Sequence, residues 1–324
     1  MNSKITIVTY HFVRELTYSR YPEIKGLDVA LFKGQILYLK KYYNFITMEQ
    51  LIDAIDNNTS LPEKAVLLTF DDAYLDHFTQ VFPVLLENNI QGSFFPPAKA
   101  ITEHKVLDVN KIHFVLASCN NTQRIIQDIY TFLDEYRIEY NLETNNYYYS
   151  KLAEPDRFNS AEVIFIKRLL QVELIENLRS IITHKLFLKY IDIPESAFSR
   201  ELYMNIDQIK TMRQLGMHIG THGYDHYWLN YLSKEKQLIE IKKSLEFIKN
   251  IGGNITYWTM CYPYGGYNKD TLDLLSENNC KLALTINLGI SDIRGENRYT
   301  LSRLDTNDLP KNRNSTINKW YTKA

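Results

Sequence analysis

Two neighbouring carboxylates and two histidines have types and spacings that suit acid–base and metal chemistry. Asp71 and Asp72 directly follow the largely apolar stretch 65–70. Neighbouring residues on a strand point in opposite directions, so one acid can bind a metal while the other exchanges a proton. His222 and His226 are four residues apart, which on a helical turn places both imidazoles within reach of one ion. These residues predict a metal site with a second acid beside it.

Each feature also has an ordinary structural interpretation. Two adjacent acids can cap the N-terminus of the helix that follows them, and a lone histidine is more often structural than a ligand. The pairing of His222 with His226, in a chain that also contains Asp71 and Asp72, favours the metal site. We interpret Asp225, which lies between the two histidines, as a turn acid.

The candidate residues follow segments that have the composition of strands. The stretch 65–70 resembles a parallel strand covered on both faces, and ligands bind at the carboxyl ends of such strands in α/β sheets and barrels. The Pro-Tyr-Gly turn at 263–265 holds backbone N–H groups in one orientation, which suits a developing oxyanion, although proline and glycine mark any turn. Three further strands are predicted to end near polar or turn residues: Ile5–Val8 before Tyr10-His11, Met217–Ile219 before His222, and Thr256–Cys261 before Tyr262.

Composition limits the classes of function. The 324 residues are 45% hydrophobic and 23% charged, as expected for a globular protein with a substantial core. A net charge of −1 without a basic block argues against nucleic acid as a partner. Three cysteines without a close pair argue against a disulfide framework. No apolar stretch is long enough for a membrane span and no signal-peptide pattern is present, so we expect a cytoplasmic protein.

Strand signals disappear between residues 98 and 204, where long helical patterns replace them. We therefore expect an α/β domain in two parts, 1–97 and 205–305, interrupted by a helical insertion at 98–204. The insertion could shape a substrate cleft or serve as a solvated or dimer-forming element. Residues 306–324 are expected to form a peripheral tail.

Three motifs in this order resemble those of the polysaccharide deacetylases, the NodB-homology carbohydrate esterases: Thr69-Phe-Asp-Asp-Ala-Tyr74, His222-Gly-Tyr-Asp-His226 and Tyr262-Pro-Tyr-Gly265. The resemblance implies a distorted (β/α) barrel of about seven strands, with the insertion outside the matching parts. It implies that Asp71 is the general base and that Asp72, His222 and His226 bind a divalent metal. It also implies that the backbone N–H of Tyr264 helps to hold the oxyanion.

The sequence departs from the family pattern at three places. Cys261 stands where the third motif usually begins with an arginine, so the group that normally braces the catalytic base is expected to be missing. Gly223 stands where a serine or threonine usually follows the first metal histidine. The usual Leu-x-His near the C-terminus is absent, and we assign the general acid to His11, because some members of the family have a Tyr-His pair near the N-terminus. A structural role for His11 in the core is the alternative.

These features predict a metal-dependent hydrolase that removes an N-acetyl or N-formyl group from an amino sugar. The metal expected is Zn²⁺, with Co²⁺, Ni²⁺, Mn²⁺ or Fe²⁺ as alternatives. The expected substrate is a sugar nucleotide, a lipid-linked sugar or an oligosaccharide. Two other functions are left open: a non-catalytic carbohydrate-binding protein, and an Fe(II) oxygenase that uses two histidines and one carboxylate.

Overall fold

The structure is a computed structural model that describes residues 2–156 and 159–324. The chain divides into two compact units. Unit 1 comprises Met1–Glu15, Gly26–Lys105 and Ser199–Ala324, and unit 2 comprises Leu16–Lys25 and Val106–Phe198. None of the described helices combines the length and the hydropathy that a bilayer span requires.

The strands all lie in unit 1, within the part of the chain that the structure describes. They are β1 (Lys4–Tyr10), β2 (Val13–Arg14), β3 (Leu27–Asp28), β4 (Asn44–Phe45), β5 (Ala65–Asp71), β6 (Gly92–Phe95), β7 (His218–Ile219), β8 (Trp258–Cys261), β9 (Cys280–Leu288), β10 (Ser291–Asp292) and β11 (Leu301–Asp305).

Parallel strands in unit 1 form a nearly closed barrel. The hydrogen-bonded order is β7-β6-β5-β1-β11-β9-β8, which follows the chain around the barrel. The ends of this order meet where Thr221 pairs with Met260 and donates its N–H to the carbonyl of Thr259 at 2.9 Å. Closure brings the carboxyl ends of strands that are distant in sequence to one rim. The predicted distorted (β/α) barrel of about seven strands is confirmed.

Alternation along the strands separates two hydrophobic clusters. On β5, Val66, Leu68 and Phe70 belong to one cluster, and Ala65 and Leu67 belong to the other. The second cluster also contains residues of β1, β6, β8, β9 and β11. Since side chains alternate between the faces of a strand, Asp71 lies on the same face of β5 as Ala65 and Leu67. The strand therefore directs Asp71 to the side that the barrel strands share.

Helices connect the strands of unit 1 and form unit 2. In chain order they are α1 (Val29–Tyr42), α2 (Met48–Asp56), α3 (Phe82–Glu87), α4 (Ala98–Thr102), α5 (Asp108–Ser118), α6 (Thr122–Tyr136), α7 (Asn145–Leu152), α8 (Ala161–Arg168), α9 (Glu176–Ile191), α10 (Glu195–Leu202), α11 (Ile206–Gln214), α12 (Lys234–Asn250), α13 (Lys269–Glu277) and α14 (Lys319–Lys323).

Unit 2 has its own hydrophobic core. Buried side chains of α5, α6, α8 and α9 pack together, among them Ile125, Ile129, Phe165, Leu178 and Ile182. The predicted helices of the insertion are present. Helix α7 has a polar sequence that is rich in tyrosine, and the Thr144 side chain caps it by accepting the N–H of Tyr147. Whether this unit shapes a cleft or forms a dimer stays a prediction.

The boundaries of the insertion differ from those expected. Residues 98–105 and 199–204 belong to unit 1, whereas residues 16–25 belong to unit 2. The reason is packing: Ala98 and Ile101 of α4 lie in the unit 1 core, as does Met204, whose N–H donates to the carbonyl of Ala73. Helical character alone did not reveal this, because α4 serves the barrel.

The C-terminal segment is not peripheral, contrary to the expectation. Trp320 of α14 is 6% exposed and belongs to the unit 1 core. Tyr321 packs edge-on against Tyr43. The Lys64 ammonium lies over the Tyr321 ring in a cation–π contact and donates a hydrogen bond to the Tyr321 carbonyl. The polar composition of the tail concealed these two aromatic anchors.

Removing the Trp320 side chain should therefore destabilise the protein. Truncation of a buried tryptophan leaves a cavity and removes apolar burial, so Trp320→Ala is expected to lower the free energy of unfolding by about 3–5 kcal/mol. Urea unfolding followed by circular dichroism would measure the change. Ile317→Ala, at an exposed residue of the same segment, is the control and should change it by less than about 0.5 kcal/mol. Equal small effects of both variants would mean that the segment does not dock.

Candidate active site

A buried cluster of one carboxylate and two imidazoles lies at the barrel rim. Oδ1 of Asp72 is 3.6 Å from Nε2 of His222 and 3.3 Å from Nε2 of His226. Ligand atoms of the three residues all lie within 4.8 Å of one another, and all three side chains are buried. The structure thus brings together the three predicted ligands, although metal binding by them stays a prediction.

The cluster fits a divalent ion on two grounds. Zinc bonds to nitrogen and oxygen are about 2.0–2.2 Å long in tetrahedral sites, which places neighbouring ligand atoms about 3.3 Å apart. The distances from Oδ1 of Asp72 to the two imidazole nitrogens, 3.6 and 3.3 Å, are close to this value. In addition, Oδ1 of Asp72 is buried and has no hydrogen-bond partner among the described residues. A buried polar atom without a partner is costly, and an ion would satisfy it. Three protein ligands also leave a coordination position open for water or substrate.

Hydrogen bonds orient two of these ligands. The carbonyl oxygen of Cys261 can only accept, so Nδ1 of His222 donates to it at 2.8 Å and Nε2 keeps its lone pair for a metal. The Tyr74 hydroxyl donates to Oδ2 of Asp72 at 2.7 Å. Tyr74 therefore occupies one carboxylate oxygen and leaves the other facing the histidines.

Electrostatics keep Asp72 charged and His222 neutral. Burial opposes ionisation of Asp72, but the interaction with His226, 3.3 Å away, and the charges of His226, His222 and His11 hold the pKa of Asp72 well below its usual range. Burial lowers the pKa of His222 to about 4, against the opposing charge of Asp71. A carboxylate and a neutral imidazole are the forms that bind metals.

The backbone at the cluster is held in an uncommon conformation. Asp72 and Ala73 have φ of 72° and 55°, and His226 has φ of 58°. Non-glycine residues in this left-handed region cost roughly 1–2 kcal/mol each. Such conformations persist only where surrounding contacts enforce them, and they concentrate at functional sites.

Arg303 clamps the second acid, Asp71. Its Nη2 lies 2.8 Å from Oδ2 and its Nη1 lies 3.0 Å from Oδ1 of Asp71. Both side chains are 1% exposed. Arg303 also donates from Nε to the carbonyl of Thr285 at 2.8 Å and from Nη1 to the Thr69 hydroxyl at 3.2 Å. Two parallel charge-assisted hydrogen bonds define the orientation of the carboxylate.

The expectation that a brace for Asp71 is missing was wrong. Arg303 comes from β11 and not from the third motif, yet its Nη1 lies 3.3 Å from Sγ of Cys261, the residue at the usual arginine position. The guanidinium therefore reaches the same place from a neighbouring part of the barrel. The available sequence signal was an arginine within an otherwise strand-like segment, Leu301–Asp305, and this signal does not identify the partner of the arginine.

This ion pair sets the charge of Asp71. Burial alone would raise its pKa, but the Arg303 guanidinium, with His222 and His11, lowers the pKa of Asp71 to about 2. Burial raises the pKa of the Cys261 thiol well above its usual value. Asp71 is therefore a carboxylate at neutral pH, and Cys261 beside it is a neutral thiol.

His11 lies near both acids. Its charge contributes to the lowered pKa of Asp71 and of Asp72, and its side chain is exposed, so it is not a core residue. Nε2 of His77 donates to the carbonyl of His11 at 2.8 Å. His77, which sequence reasoning missed, is buried, and this burial lowers its pKa to about 4. His77 thus anchors the backbone that carries His11.

Tyr264 and Asp225 lie beside the cluster. Tyr264 has φ of 54°, and its ring centroid lies 4.6 Å from that of His226 and 4.7 Å from that of Trp228. Asp225 forms an ion pair with Lys99. Asp225 lies outside any helix or strand and pairs with Lys99, and the ring of Tyr264 contacts the ring of His226, a candidate metal ligand.

A model of the polysaccharide deacetylase family matches residues 58–140 and 187–283, which make up more than half of the chain. The Bacillus subtilis (strain 168) protein YxkH, which carries the name polysaccharide deacetylase, is 29% identical over 102 residues, or 32% of this chain and 36% of that protein. The poly-beta-1,6-N-acetyl-D-glucosamine N-deacetylase of Escherichia coli (strain K12) is 46% identical over 43 residues, or 13% of this chain and 6% of that protein. The matches thus span a minor part of each relative.

Solved structures share the fold over nearly the whole chain. IcaB from Ammonifex degensii has a TM-score of 0.57 at 19% identity, covering 95% of this chain and 94% of that one. The Streptococcus pyogenes deacetylase PplD in complex with acetate has a TM-score of 0.56 at 19% identity, covering 96% and 94%. At this identity the likeness establishes the fold.

Arg303→Leu should leave Asp71 as an unpaired buried charge. Breaking a buried ion pair on one side typically costs about 3–5 kcal/mol, so the free energy of unfolding should fall by that amount at pH 8. Without the guanidinium, burial raises the pKa of Asp71 above its unfolded value. As the pH falls, Asp71 of the variant takes up a proton and the buried charge disappears. The loss in free energy of unfolding relative to wild type should therefore be smaller at pH 5 than at pH 8.

Two double variants control this prediction. Arg303→Leu with Asp71→Asn should recover much of the lost stability, because no uncompensated charge remains. Arg303→Leu with Cys261→Arg should recover part of it, because the guanidinium returns from the neighbouring position. A deficit that is independent of pH and unchanged in both double variants would contradict the pairing.

Proposed function

The chain belongs to the polysaccharide deacetylase family, and from this premise we propose that it is a metal-dependent hydrolase that removes an N-acetyl group from an amino sugar. One observation carries the proposal: a buried Asp72, His222 and His226 cluster lies beside a second buried carboxylate, Asp71, that is held in its charged form. A metal site alone does not need that second acid, whereas amide hydrolysis needs a base.

Asp72, His222 and His226 would hold the metal through Oδ1 and two Nε2 atoms. A divalent ion supplies a Lewis acid that makes water a stronger nucleophile at neutral pH and polarises a carbonyl oxygen. The hydrogen bonds from Tyr74 to Asp72 and from His222 to Cys261 hold two of the ligands in place. Zn²⁺ is the ion that two imidazoles and one carboxylate suit best, with Co²⁺ as a functional substitute.

Asp71 is the proposed general base. It accepts a proton from the attacking water, and its charged state is maintained by Arg303. The two hydrogen bonds from Arg303 and a third, at 3.4 Å, from the Thr9 hydroxyl orient the carboxylate. General acid–base catalysis is worth roughly 10²–10⁴-fold, so loss of this group should nearly abolish turnover.

His11 and Tyr264 complete the proposed site. His11, exposed and close enough to influence both acids, would protonate the leaving amine. The backbone N–H of Tyr264 would donate to the oxyanion that develops on the acyl group. The ring of Tyr264 against His226 keeps this turn beside the candidate metal ligands.

The substrate class is proposed from the relatives. The Escherichia coli relative is named for removal of the N-acetyl group of poly-beta-1,6-N-acetyl-D-glucosamine, and the Streptococcus pyogenes structure contains acetate. We therefore favour an N-acetylated amino sugar over an N-formylated one. Candidates are a sugar nucleotide, a lipid-linked sugar and an oligosaccharide. A cytoplasmic location stays a prediction from the sequence.

The decisive assay is mass spectrometry of N-acetyl and N-formyl sugar nucleotides, lipid-linked sugars and oligosaccharides incubated with the protein and Zn²⁺ or Co²⁺. Loss of acetyl without O₂ or a reducing co-substrate supports the proposal. Turnover that requires O₂ would favour an Fe(II) oxygenase. Saturable sugar binding without any turnover would favour a non-catalytic binding protein.

Asp71 and Asp72 should respond differently to substitution. Asp71→Asn should keep the metal and lose about 10²–10⁴-fold in turnover, because it removes a base and not a ligand. Asp72→Ala and the double variant His222→Ala, His226→Ala should lose both the metal and turnover. Elemental analysis after desalting, together with the deacetylation rate, gives both quantities. Loss of metal from Asp71→Asn alone would reverse the roles of the two acids.

His11→Ala tests the general acid. An amine leaving group must be protonated, so the variant should lose about 10²–10⁴-fold on an N-acetyl amide. The loss should be much smaller on an acetate ester with a good leaving group, which scarcely requires protonation. Rates on both substrates, measured with one enzyme preparation, separate acid catalysis from misfolding. Equal losses would leave His11 with a structural role only.

A further inference from the structure

We propose that Glu240 of α12 is a positioning residue for the turn 222–226, which carries two of the candidate metal ligands. This inference rests on the metal site proposed above. Glu240 lies 14 residues beyond His226 in the sequence and touches neither histidine in the contacts described. Its action would therefore be indirect, through the backbone between the two ligands.

A single oxygen of Glu240 accepts two consecutive backbone N–H groups of this turn. Oε2 is 2.9 Å from the nitrogen of Tyr224 and 2.9 Å from the nitrogen of Asp225. Glu240 is 5% exposed, so water contributes little to these contacts. Burial raises the pKa of Glu240 to about 7, so above this pH the group is a carboxylate, and hydrogen bonds from backbone N–H to a buried carboxylate are charge-assisted and about twice as strong as neutral ones.

Two carbonyl groups of the same turn accept hydrogen bonds from another segment. Gly223 and Tyr224 accept the N–H groups of Ala98 and Lys99, at 3.3 and 2.9 Å, from the start of α4. The N–H of His222 donates to the carbonyl of Pro96 at 3.2 Å. The turn belongs to no helix or strand, so its backbone groups need such partners. Glu240 supplies the acceptor for the N–H groups of Tyr224 and Asp225.

Glu240 also explains the unusual glycine after the first histidine. A serine or threonine at position 223 could accept the N–H two residues later, which is that of Asp225. Here Glu240 accepts that N–H, so a hydroxyl at 223 is not needed. Gly223 has φ of 73°, and a Cβ there would lie 3.4 Å from Oε2 of Glu240. Gly223 leaves room for Glu240, and Glu240 of α12 supplies the acceptor that a hydroxyl at position 223 would otherwise provide.

The anchored turn includes a conformation that would not persist alone. His226 has φ of 58°, a left-handed value that non-glycine residues rarely adopt. If the turn samples other conformations, only a fraction of molecules presents both imidazoles to one ion, and the apparent metal affinity falls by that fraction. Loss of Glu240 should therefore weaken metal binding without removing a ligand.

The test compares Zn²⁺ affinity, measured by competition with a chelator, in wild type, Glu240→Ala and Glu240→Gln. Glu240→Ala should bind Zn²⁺ about 10–100-fold more weakly, as removal of a group that orients ligands typically does. Glu240→Gln keeps an oxygen acceptor but loses the charge, so it should lose only about threefold. Gln237→Ala is the matched control, because Gln237 is buried on the same helix but bonds to Leu232, Asn268 and Thr271. It should lower thermal stability and leave the Zn²⁺ affinity unchanged.

A second measurement needs no metal. Hydrogen exchange of the segment 222–226 in the metal-free protein should be fastest in Glu240→Ala, intermediate in Glu240→Gln, and unchanged in Gln237→Ala. If Glu240→Ala does not fold, Glu240→Gln still decides, since unchanged affinity and unchanged exchange in that variant overturn the inference. Equal loss of affinity in Gln237→Ala would also overturn it. Absence of Zn²⁺ binding in wild type would instead overturn the metal site itself, and with it this inference.

Discussion

The buried ion pair between Asp71 and Arg303 is the interaction on which the rest of the site depends. A lone buried carboxylate takes up a proton, and a protonated Asp71 cannot act as a base. Two hydrogen bonds of 2.8 and 3.0 Å from the guanidinium keep it charged and oriented. Arg303 is in turn satisfied by Thr285 and Thr69, so its charge is not left without partners. Strands β5 and β11 lie on either side of β1, and this arrangement brings the two side chains together.

The site obtains its supporting groups from elements other than the motifs. The guanidinium comes from β11 and not from the residue at position 261, and the acceptor for the turn 222–226 comes from α12 and not from a hydroxyl at 223. In both cases a group from another element contacts the atoms that the motif residue would contact: the Asp71 carboxylate for Arg303, and the backbone of the turn 222–226 for Glu240. Catalytic constellations are recognised by geometry and roles, and a missing motif residue is therefore weak evidence for loss of function.

The sequence predicted the parts of the structure that depend on local pattern. The apolar stretch before Asp71 and the alternation of strands and helices predicted an α/β domain, and the family resemblance predicted that this domain is a barrel. The spacing of His222 and His226, with two acids elsewhere in the chain, predicted a metal site, and the family resemblance singled out Asp72 as the third ligand. The motifs behind these predictions are short segments that can be recognised without knowledge of long-range contacts.

Features that depend on long-range pairing could not be predicted in the same way. Arg303 meets Asp71 because β11 lies next to β1 and β9, and nothing in Leu301–Asp305 indicates that neighbourhood. Trp320 enters the core from a segment whose other residues are mostly polar. The carboxylate that anchors residues 224 and 225 lies on a helix whose sequence has an ordinary amphipathic pattern.

The most direct test of the account is a crystal structure of the zinc-loaded protein with anomalous scattering. The account predicts one ion about 2.0–2.2 Å from Oδ1 of Asp72 and from Nε2 of His222 and His226, with Asp71 unligated and still paired with Arg303. An ion bound by Asp71, or an ion that leaves Asp72 uncoordinated, would contradict it.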